Sequence, residues 1–161
     1  MAPEFAEVVR AGKREARFAG TSVENYFRKP FGPGWALVGD AGYNKDYITA
    51  QGISDAFRDA ELVAASLDDS FRGVRSFDRA LSAYQSTRDT QALPMFGFTC
   101  ELATLEPPSP ELAQLLGAVH GNQDAMDAFC RVNSGVTSPA EFFAPDNVGR
   151  IFAAAQAKKA S

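Results

Sequence analysis

Apolar residues recur along most of this chain at helical spacing, and one short contiguous run breaks the pattern. That run, Trp35-Ala36-Leu37-Val38, predicts a buried strand ended by Gly39-Asp40. A helix is predicted from about Gln51, with Ile53, Ala56, Phe57, Ala60, Val63, Ala64 and Leu67 on its inward face. Residues 68–73 form a break. A long helical pattern follows from about Ser76, with Phe77, Ala80, Leu81 and Tyr84 on one stripe. It continues through Pro94 to Leu102 and Leu105, so a kink or interruption is expected near Leu93. Pro107-Pro108 stops it. Ser109-Pro110-Glu111 starts the next helix, with Leu112, Leu115, Leu116 and Val119 facing inward. Asn122 caps a short helix through Phe129 to Val132, stopped by Gly135, and Ser138-Pro139-Ala140-Glu141 repeats the start signal before Phe142-Phe143. A final helix runs from Pro145 or Asp146 to Lys159.

At the other end, Pro3 to Arg17 reads as a helix with acids first and bases last, and Gly20 as its stop. Residues 21–34 are irregular or partly extended, with strand character at Tyr26-Phe27 and a turn at Gly32-Pro33-Gly34. The expected fold is mainly α with few strands. It divides into a lead-in (1–34), a strand–loop–helix unit (35–67) and a helical C-terminal region (68–161). Phe96, Phe98, Phe129, Phe142 and Phe143 are candidate core residues, or a surface that packs on another chain. A buried strand such as Trp35–Val38 needs neighbours for its N–H and C=O groups. They come either from residues 21–31 folding back beside it or from another chain, and the chain is expected not to be a simple monomer.

Composition narrows the function classes. With 161 residues, 45% apolar content and thirteen Phe, the chain can bury a real core. Net charge is −4, and the basic clusters at Lys13, Arg14, Arg17 and at Arg28-Lys29 read as solvated helix ends, not as a nucleic-acid surface. No apolar run approaches the ~18 residues of a membrane span. Glu4 and Glu7 stand where a signal core would be, so a cytoplasmic location is expected. Cys100 and Cys130 lack CxxC spacing and read as small buried hydrophobes, not metal ligands. His120, the only histidine, lies at a helix end. With no Gly-x-Ser-x-Gly stretch and no P-loop, Ser-His-Asp and P-loop chemistry are excluded.

What remains is the unit around Asp40. A strand ending in an acid, a Gly-containing loop and a helix start make a site geometry. The carboxylate accepts hydrogen bonds from hydroxyls, and the free N–H groups of the helix start attract negative charge. The pattern Gly39-Asp40-Ala41-Gly42, then Gln51-Gly52-Ile53 with Gly52 twelve residues after Asp40, then a helix carrying Asp59, resembles the second flavin-binding motif of FAD-dependent aromatic hydroxylases. Geranylgeranyl reductases and flavin halogenases share that motif. The resemblance covers only the C-terminal part of such enzymes. It implies that Asp40 holds the ribityl chain of FAD and that Gly52 and Ile53 present backbone to the flavin pyrimidine ring. It further implies NAD(P)H as reductant and a small organic substrate.

Tyr43, Tyr47 and Thr49 depart from the His, Pro and Gly usual at their positions, and Tyr43 and Tyr47 are equally readable as packing residues. Arg58 reads as one half of a solvated pair with Asp59. Nothing matches the family's N-terminal Gly-x-Gly-x-x-Gly unit; Gly32-Pro33-Gly34 precedes its strand instead of following one. The resemblance therefore implies a partner, either a second copy or a chain carrying the nucleotide-binding half, and weak or absent FAD binding by the chain alone. The competing expectation is a non-catalytic helical protein, either a truncated relative or a subunit that packs on such a partner.

Overall fold

The computed structural model describes residues 3–17 and 23–160. Gly20, expected to stop the first helix, lies outside them. Among the described residues the protein is mainly helical, with seven α-helices and two small antiparallel sheets. Helix α1 spans Pro3–Ala11. Strands β1 (Tyr26–Phe27), β2 (Phe31–Gly32), β3 (Trp35–Ala36) and β4 (Tyr43–Asn44) follow. The remaining helices are α2 (Gly52–Phe71), α3 (Phe77–Leu102), α4 (Pro110–Val119), α5 (Gln123–Asn133), α6 (Pro139–Phe142) and α7 (Pro145–Ala160).

The strands correct the sequence reading. The expected buried strand Trp35–Val38 is two residues long and not buried, with Trp35 exposed and Ala36 half-buried, and it is not left without a neighbour. It pairs through Phe31↔Ala36 and Gly32↔Trp35 across the turn at Pro33-Gly34. Gly34 takes φ +80°, which a side chain resists. Leu37 donates to Pro30 O at 2.7 Å, and its own carbonyl accepts the Tyr84 hydroxyl at 2.7 Å. Backbone groups that a longer sheet would have paired are thus met by a neighbouring loop and a side chain. Tyr26-Phe27 is a strand, paired with Tyr43-Asn44.

The helix signals proved reliable where a cap defines the start. Ser76, Ser109, Asn122 and Ser138 each accept a backbone N–H of the helix they precede. Boundaries set by charge alone were not: the first helix stops at Ala11 instead of Arg17, and residues 13–17 are exposed and non-helical. The motif helix runs past Asp68 to Phe71, since Arg72 N and Gly73 N still find helix carbonyls. Helix α3 continues without interruption through Pro94. The missing N–H leaves Thr90 O without its i+4 partner, but Thr90 is exposed, and Ala92, Met95 and Thr99 are buried on either side. The pattern ends at Leu102; Leu105 lies outside with φ 54° and is exposed.

Two cores result. The larger joins Met95, Leu115, Ala118, Val119, Ala125, Val132, Phe142 and Ile151, with Phe98, Phe129 and Phe143 packed against it. The smaller joins Phe31, Leu81 and Tyr84 with Ala36, Leu62, Val63 and Leu67. Cys100 is only half-buried and Cys130 is exposed, contrary to the expectation of buried cysteines. On α5 the inward positions are Ala125 and Val132, leaving Cys130 on the outer side.

This placement makes a contrast. Phe142→Ala is expected to cost about 3–5 kcal/mol in chemical denaturation, whereas Cys130→Ser stays within about 0.5 kcal/mol.

Candidate functional site

After β3 the chain passes Leu37 and Val38 and turns sharply at Gly39, which opens a 3-10 turn over Gly39–Ala41. Gly39 has φ +54°, and a Cβ there would lie 3.0 Å from the Cβ of Ala56. Both the backbone angle and the close approach of α2 therefore require glycine. Its amide donates to Oδ2 of Asp59 at 3.2 Å. Asp59, expected as the late acid of the motif helix, is thus the residue that ties the loop to that helix, and it is wholly buried.

The face of α2 that points inward is only partly the predicted one: Ala56, Val63 and Leu67 of the predicted stripe are half-buried, the last two against the smaller core. Asp55 and Asp59 are buried, with Leu62 and Val63 half-buried further along, while Ile53, Phe57, Ala60 and Ala64 are exposed. The first two turns lie on a polar loop, and polar partners there outweigh the apolar stripe. Asp55 binds Lys45 and, at 2.9 Å, Arg58 Nη1. Arg58 also reaches Asp59 at 3.3 Å and donates to the Tyr43 hydroxyl. The expected solvated Arg58–Asp59 pair is therefore a partly buried network. Burial pushes the Asp59 carboxyl above its ordinary range, opposed by Arg58 and the Gly39 N–H. Burial also raises the Tyr43 phenol, with Asp55 adding to the effect. For Arg58 burial opposes the charge, but Tyr43, Asp55 and Asp59 more than offset it and its pKa is raised.

Helix α3 supplies the other wall through residues that the sequence reading missed. Arg88 is fully buried and donates through Nη2 to Arg28 O at 2.9 Å and through Nε to Asp89 at 2.8 Å. Its guanidinium lies 4.6 Å from the centre of the Phe27 ring. A Cβ on Gly42 would stand 3.1 Å from Arg88 Nη1, which has no partner among the described residues. Gly42 thus lets the loop descend onto the guanidinium. Tyr84, one turn earlier, holds Leu37 O, and burial pushes its phenol up to about 12. Thr49 and Thr99 share a buried hydrogen bond of 2.9 Å that fixes the end of the loop to α3. The available signal for Arg88 was a charged residue at i+4 from Tyr84 and i+7 from Leu81, on an otherwise apolar stripe.

On this base sit the predicted site residues. Asp40 is exposed; its carbonyl accepts the Tyr26 hydroxyl at 2.6 Å, and its carboxylate has no hydrogen-bond partner among the described residues. That carboxylate faces the start of α2: Asp40 Oδ1 lies 3.9 Å from where a Gly52 side chain would begin. Ala41 is exposed beside it, while Gly42 is buried. Gln51 does not cap α2, because its amide donates to Asn133 O. The amides of Gly52, Ile53 and Ser54 have no acceptor among the described residues, and all three residues are exposed. Asp40, Gly52 and the amide side of Ile53 are therefore brought together. Gln51 instead lines a polar cleft of about 260 Å³ with Asp55, Arg58 and Thr137. Tyr43 is buried as a packing residue and Tyr47 is 89% exposed. No group of His, Cys, Asp and Glu able to hold a metal occurs among the described residues, and no helix among them is long and apolar enough to cross a membrane.

The arrangement presents a free acceptor and free backbone donors side by side on one rim. It suits a ligand with hydroxyls next to an electron-rich, partly negative group. Searches against family models, curated proteins and solved structures found no match to the chain.

The two aspartates separate function from scaffold. Asp59→Ala removes a fully buried carboxylate and leaves Arg58 and the Gly39 amide without it, for an expected loss of about 3–5 kcal/mol. Asp40→Ala, exposed and unpartnered, should change unfolding free energy by no more than about 0.5 kcal/mol. Urea titration of both variants checks the pair.

Proposed function

We propose that this chain is the flavin-contacting portion of an FAD-dependent oxidoreductase of the aromatic-hydroxylase type. The observation that carries the reading is the unpartnered Asp40 carboxylate set against the uncapped start of α2. FAD, when bound, supplies the redox chemistry. Asp40 accepts hydrogen bonds from ribityl hydroxyls, and the amides of Gly52 and Ile53, with the positive end of a 20-residue helix behind them, favour negative charge on the reduced ring. Gly52 keeps the approach to those amides free of a side chain. Asp59, Tyr84 and Arg88 hold the loop in place before any ligand arrives, so binding does not have to order it. Among the described residues no acid or base is placed for a substrate step, and that role would fall to other parts of the intact enzyme. NAD(P)H and an organic substrate belong to the same proposal.

A second reading, a non-catalytic subunit packing on a partner, is favoured by the exposure of Trp35, Ile48, Ile53 and Phe57. Titration of the labelled chain with FMN, followed by amide NMR, separates the two. FMN carries the ribityl chain and the ring that these residues are proposed to contact. Shifts confined to residues 40–42 and 52–54 are expected, with Asp40→Ala weakening binding roughly 10-fold, the value of one hydrogen bond to a charged acceptor. No shifts at millimolar FMN, or shifts indifferent to Asp40→Ala, contradict the flavin reading.

A further inference from the structure

The outward stripe of α2 has a regular spacing. Ile53, Phe57, Ala60 and Ala64 alternate steps of four and three residues, with Phe71 seven residues further on, which is the seam of a helix that packs lengthwise against another. Ile53 is 76% and Phe57 73% exposed, and Ala60 and Ala64 are also open. A second unpartnered face lies on α1, which buries none of its residues: Phe5, Val8 and Val9 are 69%, 70% and 57% exposed. Within one chain these two faces do not cover each other.

They are complementary. The two alanines make a shallow notch between Phe57 and Phe71, and α1 offers large side chains at i, i+3 and i+4 to fill it. At about 1.5 Å per residue, the nine residues of α1 reach about 13 Å, or half of the seam. Centred on Ala60 and Ala64, they leave the uncapped start of α2 open. The charges fit an antiparallel approach. Glu61 borders the seam and Arg10 lies toward the end of α1; both are exposed, and neither has an ion-pair partner among the described residues. A seam-to-seam pairing of two α2 helices would instead bring Glu61 against its own copy.

We infer that α2 is an interface for a second copy of this chain, with α1 of each protomer laid across Phe57, Ala60 and Ala64 of the other. The exchange is reciprocal, so the contact is made twice. Four phenylalanine rings, each covering about 150–250 Å² when fully buried, with the valines and alanines, reach the roughly 1,000 Å² of a specific interface.

Sedimentation velocity on the full chain at micromolar concentration tests this without reference to flavin. A dimer is expected, and Val8→Glu or Ala60→Glu should each raise its dissociation constant at least roughly 10-fold. Neither position is buried, so circular dichroism should be unchanged. Mixing the two variants leaves one of the two contacts intact, and association should return in the mixture. Arg10→Glu with Glu61→Arg should restore what each loses alone. A monomeric wild type, a dimer insensitive to Val8→Glu, or variants that fail to complement on mixing would overturn the inference.

Discussion

Arg88 is a guanidinium removed from water, and the loop that carries Asp40 is built around it. Taking a cation out of water is costly unless its donors are met. Here Asp89, the Arg28 carbonyl and the Phe27 ring meet most of that requirement. Their positions in turn fix β1, and through β1 the return strand at Tyr43. Gly42 closes over the remaining nitrogen. Asp59 performs the same service from α2 by holding the Gly39 amide. With two short strand pairs and no larger sheet among the described residues, these buried polar contacts take over work that backbone pairing does elsewhere.

The consequence is a division of labour along the motif. Residues that face inward (Gly39, Gly42, Asp55, Asp59) build the loop, and the groups that face outward (the Asp40 carboxylate and the amides of Gly52, Ile53 and Ser54) have no hydrogen-bond partner among the described residues. The outward group is what a ligand would meet. The stretch of α2 that the inferred partner helix would cover, Phe57 to Ala64, lies beyond it along the same helix, so the proposed ligand contact and the inferred association would occupy different stretches of one element.

Much of this was legible in the sequence, for identifiable reasons. Capped starts at Ser76, Ser109, Asn122 and Ser138 were readable because a short polar side chain before a helical pattern has one efficient use. The proximity of Asp40 and Gly52 followed from the spacing of the motif. The orientation of α2 was not legible. Its apolar stripe named Ile53 and Phe57 as core, whereas the ion pairs of Asp55 and Asp59 with Lys45 and Arg58 turned the other face inward. Periodicity locates an apolar face but does not say whether this chain or another covers it. Arg88 was passed over because a charge in the middle of a long helix is ordinarily solvated, and only the three-dimensional return of β1 shows what it holds.

A buried polar network, centred on Arg88 and Asp59, fixes the Gly39–Gly42 loop. Native-state hydrogen exchange at the Gly39 amide tests this directly. Exchange as slow as that of buried α3 amides such as Ala92 is expected, with a marked acceleration at Gly39 in Arg88→Met while amides of α5 and α7 keep their protection. A Gly39 amide that exchanges as fast as an open loop, or one that is untouched by Arg88→Met, would contradict it.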